Sequence, residues 1–182
     1  RVGGLQIQLL ETVSALVRCG VDASLFDWRS DRLDKYDVVH VFGAVNGNHR
    51  IVEAAKTAGR RVVLSTVMGP PFSRRDRLFS ELGESAIGRL TGWRIHTSYA
   101  QIMAALNGAD RIIALGDAER EMLCRSYRVP AEKLSVVPNG ISHRFFEADP
   151  SIFSAKWDIP NPWVVCVASV SPFKNQLSLV RA

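Results

Sequence analysis

The residues best suited by type and spacing to do chemistry lie in Val164-Val-Cys-Val-Ala-Ser-Val-Ser-Pro-Phe-Lys-Asn-Gln-Leu177. An apolar strand, Trp163 to Ala168, is expected to open into a Ser-Pro loop with Lys174 at the mouth of a helix. Helix N-terminal amides and an ammonium both favour an anion, so the arrangement suits a phosphate. A surface lysine at a helix start is the ordinary alternative, although the helix dipole mildly disfavours a cation there. A second candidate is Gly3-Gly4 ahead of an amphipathic segment. Paired glycines let backbone amides approach an anion closely, and they are also common turn chemistry. The dinucleotide fingerprint G-x-G-x-x-G is absent, which argues against a nicotinamide cofactor.

The histidines point to less. His40 lies inside Tyr36-Asp-Val-Val-His-Val-Phe-Gly43 and reads as a packed or hydrogen-bonded strand residue rather than a catalyst. His49, His96 and His143 lack zinc-ligand spacing, and neither H-E-x-x-H nor a paired-cysteine motif occurs, so no bound metal is implied. Cys19, Cys124 and Cys166 are odd in number and widely spaced, unlike a disulfide framework. A reducing cytosol is the simplest compartment for them.

The elements that must position these residues alternate. Leu5, Leu9, Val13, Leu16 and Val17 recur at helical spacing, and Gly20 follows as a stop, which predicts a helix over 5–19. Val21 to Phe26 and Tyr36 to Phe42 read as strands, the second a near-continuous apolar run of the kind buried in parallel sheets. A helix from Asn48 to Ala58, stopped by Gly59, returns the chain to a strand from Arg61 to Thr66. Between Met68 and Asn107 the pattern changes to Gly-Pro-Pro, an Arg-rich stretch and two helices. A strand from Arg111 to Leu115 then restores the alternation, followed by a helix N-capped by Asp117 and running to Tyr127. A buried strand, Leu134 to Val137, stops at Pro138-Asn139-Gly140, where the chain is expected to leave one domain for the next with Gly140 at positive φ. This βαβ alternation is the doubly wound α/β signature.

Taken together and in order, these motifs resemble a family 4 (group 1) glycosyltransferase of the GT-B fold, in which two Rossmann-like domains face across a cleft. Gly3-Gly4 resembles the family's glycine loop, and Asp110-Arg-Ile-Ile-Ala-Leu115 with Glu119 its "ADxII…S" region. Val137-Pro-Asn-Gly140 resembles its interdomain "PNG", and Val167-Ala-Ser-Val-Ser-Pro-Phe-Lys-Asn175 its "VGRLxPxKG". The resemblance implies an acceptor-side domain over 1–147 that lacks its first strand, then a linker and the first strand and helix of a donor-binding domain over 148–182. The chain therefore reads as a fragment, inactive by itself, of an enzyme that moves a sugar from a nucleotide-sugar donor with retention of configuration. The implied donor-binding residues are Gly3, Gly4, Ser169 and Lys174, with Lys174 stabilising charge on the departing phosphate. His40, Gly43 and Thr66 line the acceptor side, and Asn139 and Gly140 form the hinge. Three positions depart from the family: Phe42 and Val67 stand where histidines are common, and Ser169 replaces an arginine that would fork onto phosphate. These departures leave open a GT-B sugar-nucleotide epimerase, or a non-catalytic GT-B-like binding module.

The charge balance is compatible with all three. Net charge is +5 and the pI about 9.4, which permits attraction to nucleotide sugars or anionic lipid without choosing between them. No cofactor is expected beyond the nucleotide sugar as substrate; the acceptor, whether sugar, lipid-linked glycan or small molecule, is not readable. The Arg-rich segment Ser73 to Phe79, continued by Leu82, Ile87, Leu90 and Trp93, is compatible with peripheral contact at the inner face of a membrane. A helix with one face in the core and one in water is the commoner explanation. The same segment lacks the evenly spaced aromatics of a nucleic-acid platform, and a cytoplasmic location is expected.

Overall fold

The computed structural model describes residues 3–67, 79, 80, 83, 84, 89, 97–157, 159 and 164–182. Within them the chain divides into two compact units, Arg1–Asn139 and Gly140–Ala182.

The first unit is α/β. Helix α1 (Gly4–Arg18) starts after Gly3, whose N–H donates to Gln6 Oε1 at 3.0 Å. It stops at Gly20, which takes φ +80° while the N–H of Val21 donates to Leu16 O at 3.0 Å. Strand β1 (Val38–Phe42), helix α2 (His49–Thr57) and strand β2 (Arg61–Ser65) follow. Then come α3 (Ser98–Gly108), β3 (Arg111–Ala114), α4 (Asp117–Tyr127) and β4 (Leu134–Val136). The described strands form a four-stranded parallel sheet in the order β1-β2-β3-β4. The expected βα alternation from Tyr36 to Val137 is thereby realised in the described residues, while the first of the two helices expected between Met68 and Asn107 falls mostly outside them. The Arg-rich segment falls largely outside the described residues.

Burial alternates along the strands, so the two faces differ. Val41, Val62, Leu64, Ile112, Ala114 and Leu134 share one face and are buried. Over that core α2 packs on β1, β2 and α3, while α4 packs on β3 and β4. Full burial of Leu64, Leu106, Ile112 and Leu123 contributes on the order of 1.5–3 kcal/mol per side chain. On the opposite face His40, Phe42, Val63 and Ile113 are only half-buried. No residue of α1 is fully buried; Leu9, Val13 and Leu16 are half-covered and Leu5 and Val17 exposed.

Several expectations are corrected. Val21 to Phe26 forms no strand, because an extended apolar segment is held only by a hydrogen-bonded neighbour and the described sheet ends at β1. The strand expected over Leu134 to Val137 is Leu134–Val136, the outer strand of the described sheet, and only Leu134 in it is buried. Gly116, not Asp117, is the N-cap of α4, and Asp117 is the first helical residue.

The second unit contains α5 (Ser151–Lys156), α6 (Gln176–Arg181) and 3-10 turns over His143–Phe145 and Pro172–Lys174. None of its described residues is fully buried. The described part of the expected Trp163 to Ala168 strand lies outside any sheet, with Val164 79 % and Val167 92 % exposed. Apolar residues alone do not make a strand without a partner edge.

Candidate functional site

Ligands of open parallel sheets bind beyond the carboxyl ends of the strands, and here those ends carry a polar cluster. At the end of β1, Gly43 takes φ +88°, a left-handed turn that favours glycine. Its N–H donates to Ser65 O at 2.7 Å, and the N–H of Ala44 donates to Thr66 O at 3.1 Å. Asn48 Nδ2 donates to the carbonyls of Phe42 and Gly43 at 3.0 and 2.9 Å. The loop from β1 to α2 is thus laced to the end of β2.

His40 and Ser65 meet on the half-covered face. His40 Nε2 lies 2.9 Å from Ser65 Oγ, and its ring stacks on Phe42 with centroids 4.2 Å apart. Burial pushes the imidazole below its ordinary pKa, since the charged form is desolvated. The pair therefore presents a neutral imidazole and a hydroxyl, groups that donate and accept hydrogen bonds.

Thr66 lies on the other face and is fully buried. Its hydroxyl donates to Glu119 Oε1 at 2.7 Å and sits 3.2 Å from Ile113 O. The second carboxylate oxygen of Glu119 accepts the N–H of Leu115 at 2.6 Å. One side chain in the first turn of α4 therefore joins the ends of β2 and β3.

Of the acceptor-side residues expected from sequence, Gly43 and Thr66 lie at this rim, and His40, in the middle of β1, reaches toward it through Ser65. Ser65, Asn48 and Glu119 were not expected there. Ser65 had a signal, a hydroxyl closing the apolar run Val62-Val-Leu64; Glu119 stood out only as part of the motif that starts at Asp110, and its bond to Thr66, 53 residues away, had no signal. Gly3 and Gly4 lack positive φ, and a side chain at either would meet nothing within 4 Å. Gly140 also lacks positive φ, which corrects the reason expected for a glycine in that turn.

In the second unit Lys174 is exposed at the end of its 3-10 turn, two residues before α6. Gln176 spans the loop: its Nε2 donates to Ser169 O at 2.8 Å, and its Oε1 accepts the N–H of Ser171 at 3.4 Å. That glutamine sets the spacing of the Ser169 to Lys174 turn and was overlooked in the sequence.

Among the described residues no three His, Cys, Asp or Glu side chains gather closely enough to hold a metal ion. A depression lined by Phe26, Asp31, Arg32, Leu33, Asp34 and Ala58 opens beside the residues that precede β1, away from the polar rim. No helix among the described residues is long and apolar enough to cross a membrane.

The family model for Glycosyltransferase Family 4 matches residues 23–145. The chain belongs to glycosyltransferase family 4. The matched stretch of this glycosyltransferase-family chain contains the four described strands and the residues His40, Ser65, Thr66 and Glu119. It does not reach Gly3, Gly4, Ser169 or Lys174. No curated protein matches the chain.

Proposed function

We propose that the chain is the acceptor-side domain of a retaining, nucleotide-sugar-dependent glycosyltransferase, joined to the opening of its donor-binding domain. The observation that carries this reading is the His40–Ser65 pair at the carboxyl rim of a parallel sheet inside a family 4 match. A neutral imidazole and a hydroxyl at 2.9 Å are suited to orient a sugar hydroxyl. Gly43 allows the loop beside them to turn tightly, and Thr66 anchors the end of β2. The turn from Ser169 to Lys174 serves the donor phosphate. Cleavage of a glycosyl phosphate bond concentrates negative charge on the departing oxygen, which the Lys174 ammonium stabilises more in the transition state than in the ground state. Ser169 offers a hydroxyl to the same phosphate. Asn139 and Gly140, at the division between the units, serve as the hinge, and the enzyme works in the cytoplasm.

The test is incubation of the full-length parent with UDP-, GDP- and ADP-sugars, with and without p-nitrophenyl glycosides as acceptors. Acceptor-dependent release of nucleoside diphosphate with a retained anomeric linkage supports the reading. Interconversion of the sugar without an acceptor would establish an epimerase, and binding without turnover a non-catalytic module.

A further inference from the structure

Val67 is β-branched, yet it takes φ +40°, in the left-handed region that such side chains avoid. A backbone conformation of this kind persists only where its surroundings hold it. The holding contacts converge on the residue before it. The N–H of Thr66 donates to Ile113 O at 3.2 Å and its carbonyl accepts from the N–H of Ala44 at 3.1 Å. Its hydroxyl donates to Glu119 Oε1 at 2.7 Å, and Glu119 Oε2 accepts the N–H of Leu115 at 2.6 Å. Thr66 is fully buried, so it has no freedom to swing away from these partners. A carboxylate suits the task because it offers one acceptor oxygen to each donor, where an amide has a single oxygen.

We propose that Glu119 is a positioning residue of the rim. By holding the Thr66 hydroxyl and the Leu115 N–H together, it fixes Val67 in the left-handed conformation and sets the direction in which the chain leaves β2. The claim that this direction shapes acceptor binding rests on the reading of the rim as the acceptor side. Glu119→Gln keeps the size of the side chain but loses the charge and replaces one of the two acceptor oxygens by an N–H donor, so the charge-assisted bond from the Thr66 hydroxyl is gone. Thr66→Val keeps the shape of its partner and loses the hydroxyl. Val67→Gly adopts positive φ without strain, so the conformation no longer needs the clamp.

The experiment has a conformational arm and a functional arm. In the labelled chain, the NMR chemical shifts and the HN–Hα coupling of residue 67 should report a left-handed conformation. They should move toward extended values in Glu119→Gln and in Thr66→Val, with no further movement in the double variant. Thr66→Val alone supplies this arm if Glu119→Gln does not fold. In the full-length parent, with UDP-glucose as donor and p-nitrophenyl glucoside as acceptor, Glu119→Gln should raise the acceptor KM about tenfold, as for one lost charge-assisted hydrogen bond. The donor KM should stay within about twofold, and Val67→Gly added to Glu119→Gln should restore the acceptor KM. Unmoved residue 67 signals in both single variants would overturn the clamp. So would a parallel rise of both KM values with no rescue, the mark of a merely structural role. If the wild type transfers no sugar, the functional reading fails while the residue 67 signals still decide the clamp.

Discussion

His40 Nε2 and Ser65 Oγ stand 2.9 Å apart on a diagonal of the β1-β2 pair, because His40 is in register with Val63 and Ser65 with Phe42. The contact therefore reaches toward the carboxyl rim, and it fixes the imidazole plane against the Phe42 ring. Ser65 closes β2, so a side chain from the middle of one strand is aimed at the end of its neighbour.

That contact has a pH signature. Burial holds the folded imidazole below its ordinary pKa, whereas the unfolded chain takes up this proton near about pH 6.5. The unfolded state thus binds more protons in the window between the two values. Stability from keeping His40 neutral is present above about pH 6.5 and is lost as pH falls toward the folded value. Thermal midpoints measured from pH 8 to pH 5 should fall on the acid side, and His40→Gln should flatten that part of the curve. Identical curves for the two proteins would remove His40 as the cause.

Asp110 makes a second acid-sensitive contact. Its carboxylate accepts from Lys56 Nζ at 2.7 and 2.9 Å and from the N–H of Val62 at 2.7 Å, tying α2 to the start of β2 and β3. The bonds from Lys56 and then Val62 hold its pKa below the usual carboxylate range. The associated stability is present above the unfolded pKa, about 3.9, and is lost as pH falls through the lower folded value. Both side chains are partly exposed, so Lys56→Met should cost about 1 kcal/mol or less. Asp110→Ala also strands the Val62 N–H and should cost more, as urea denaturation would show.

Gly108 is a packing glycine. A Cβ there would stand 2.8 Å from Cγ1 of Val52, a residue of α2 that is only 1 % exposed. Gly108→Ala should therefore destabilise by about 1–3 kcal/mol, as overpacking does, despite the better helix propensity of alanine. Val52→Ala added to Gly108→Ala should recover part of the loss. A neutral or stabilising Gly108→Ala would show that the α2–α3 contact yields without strain.

Lys174 is the test of the donor side. In the full-length parent Lys174→Ala should lower turnover on the order of 100-fold, as for loss of a preorganised charge donor. Ser169→Arg should tighten binding of nucleoside diphosphate by adding a forked cation. Isothermal calorimetry with UDP and GDP reads the second effect directly. Unchanged kinetics in Lys174→Ala would remove that residue from the mechanism.

The local parts of this molecule were written in its sequence. Gly20 and Gly59 end helices where the apolar period stops, and both take positive φ; a cap is decided by a few neighbouring residues. The strands from Val38 to Val136 were marked by short apolar runs between helical patterns, and the order of the motifs carried the family. Tertiary structure decided what depends on distant partners. Val21 to Phe26 has the composition of a strand and forms none, because pairing is a property of two segments. The burial of Val41 against the half-exposure of His40 follows from which sheet face the helices cover, which composition does not state. The contacts of His40 with Ser65 and of Glu119 with Thr66 join residues 25 and 53 positions apart. Only the folding of three strand ends to one rim brings those side chains within hydrogen-bond reach.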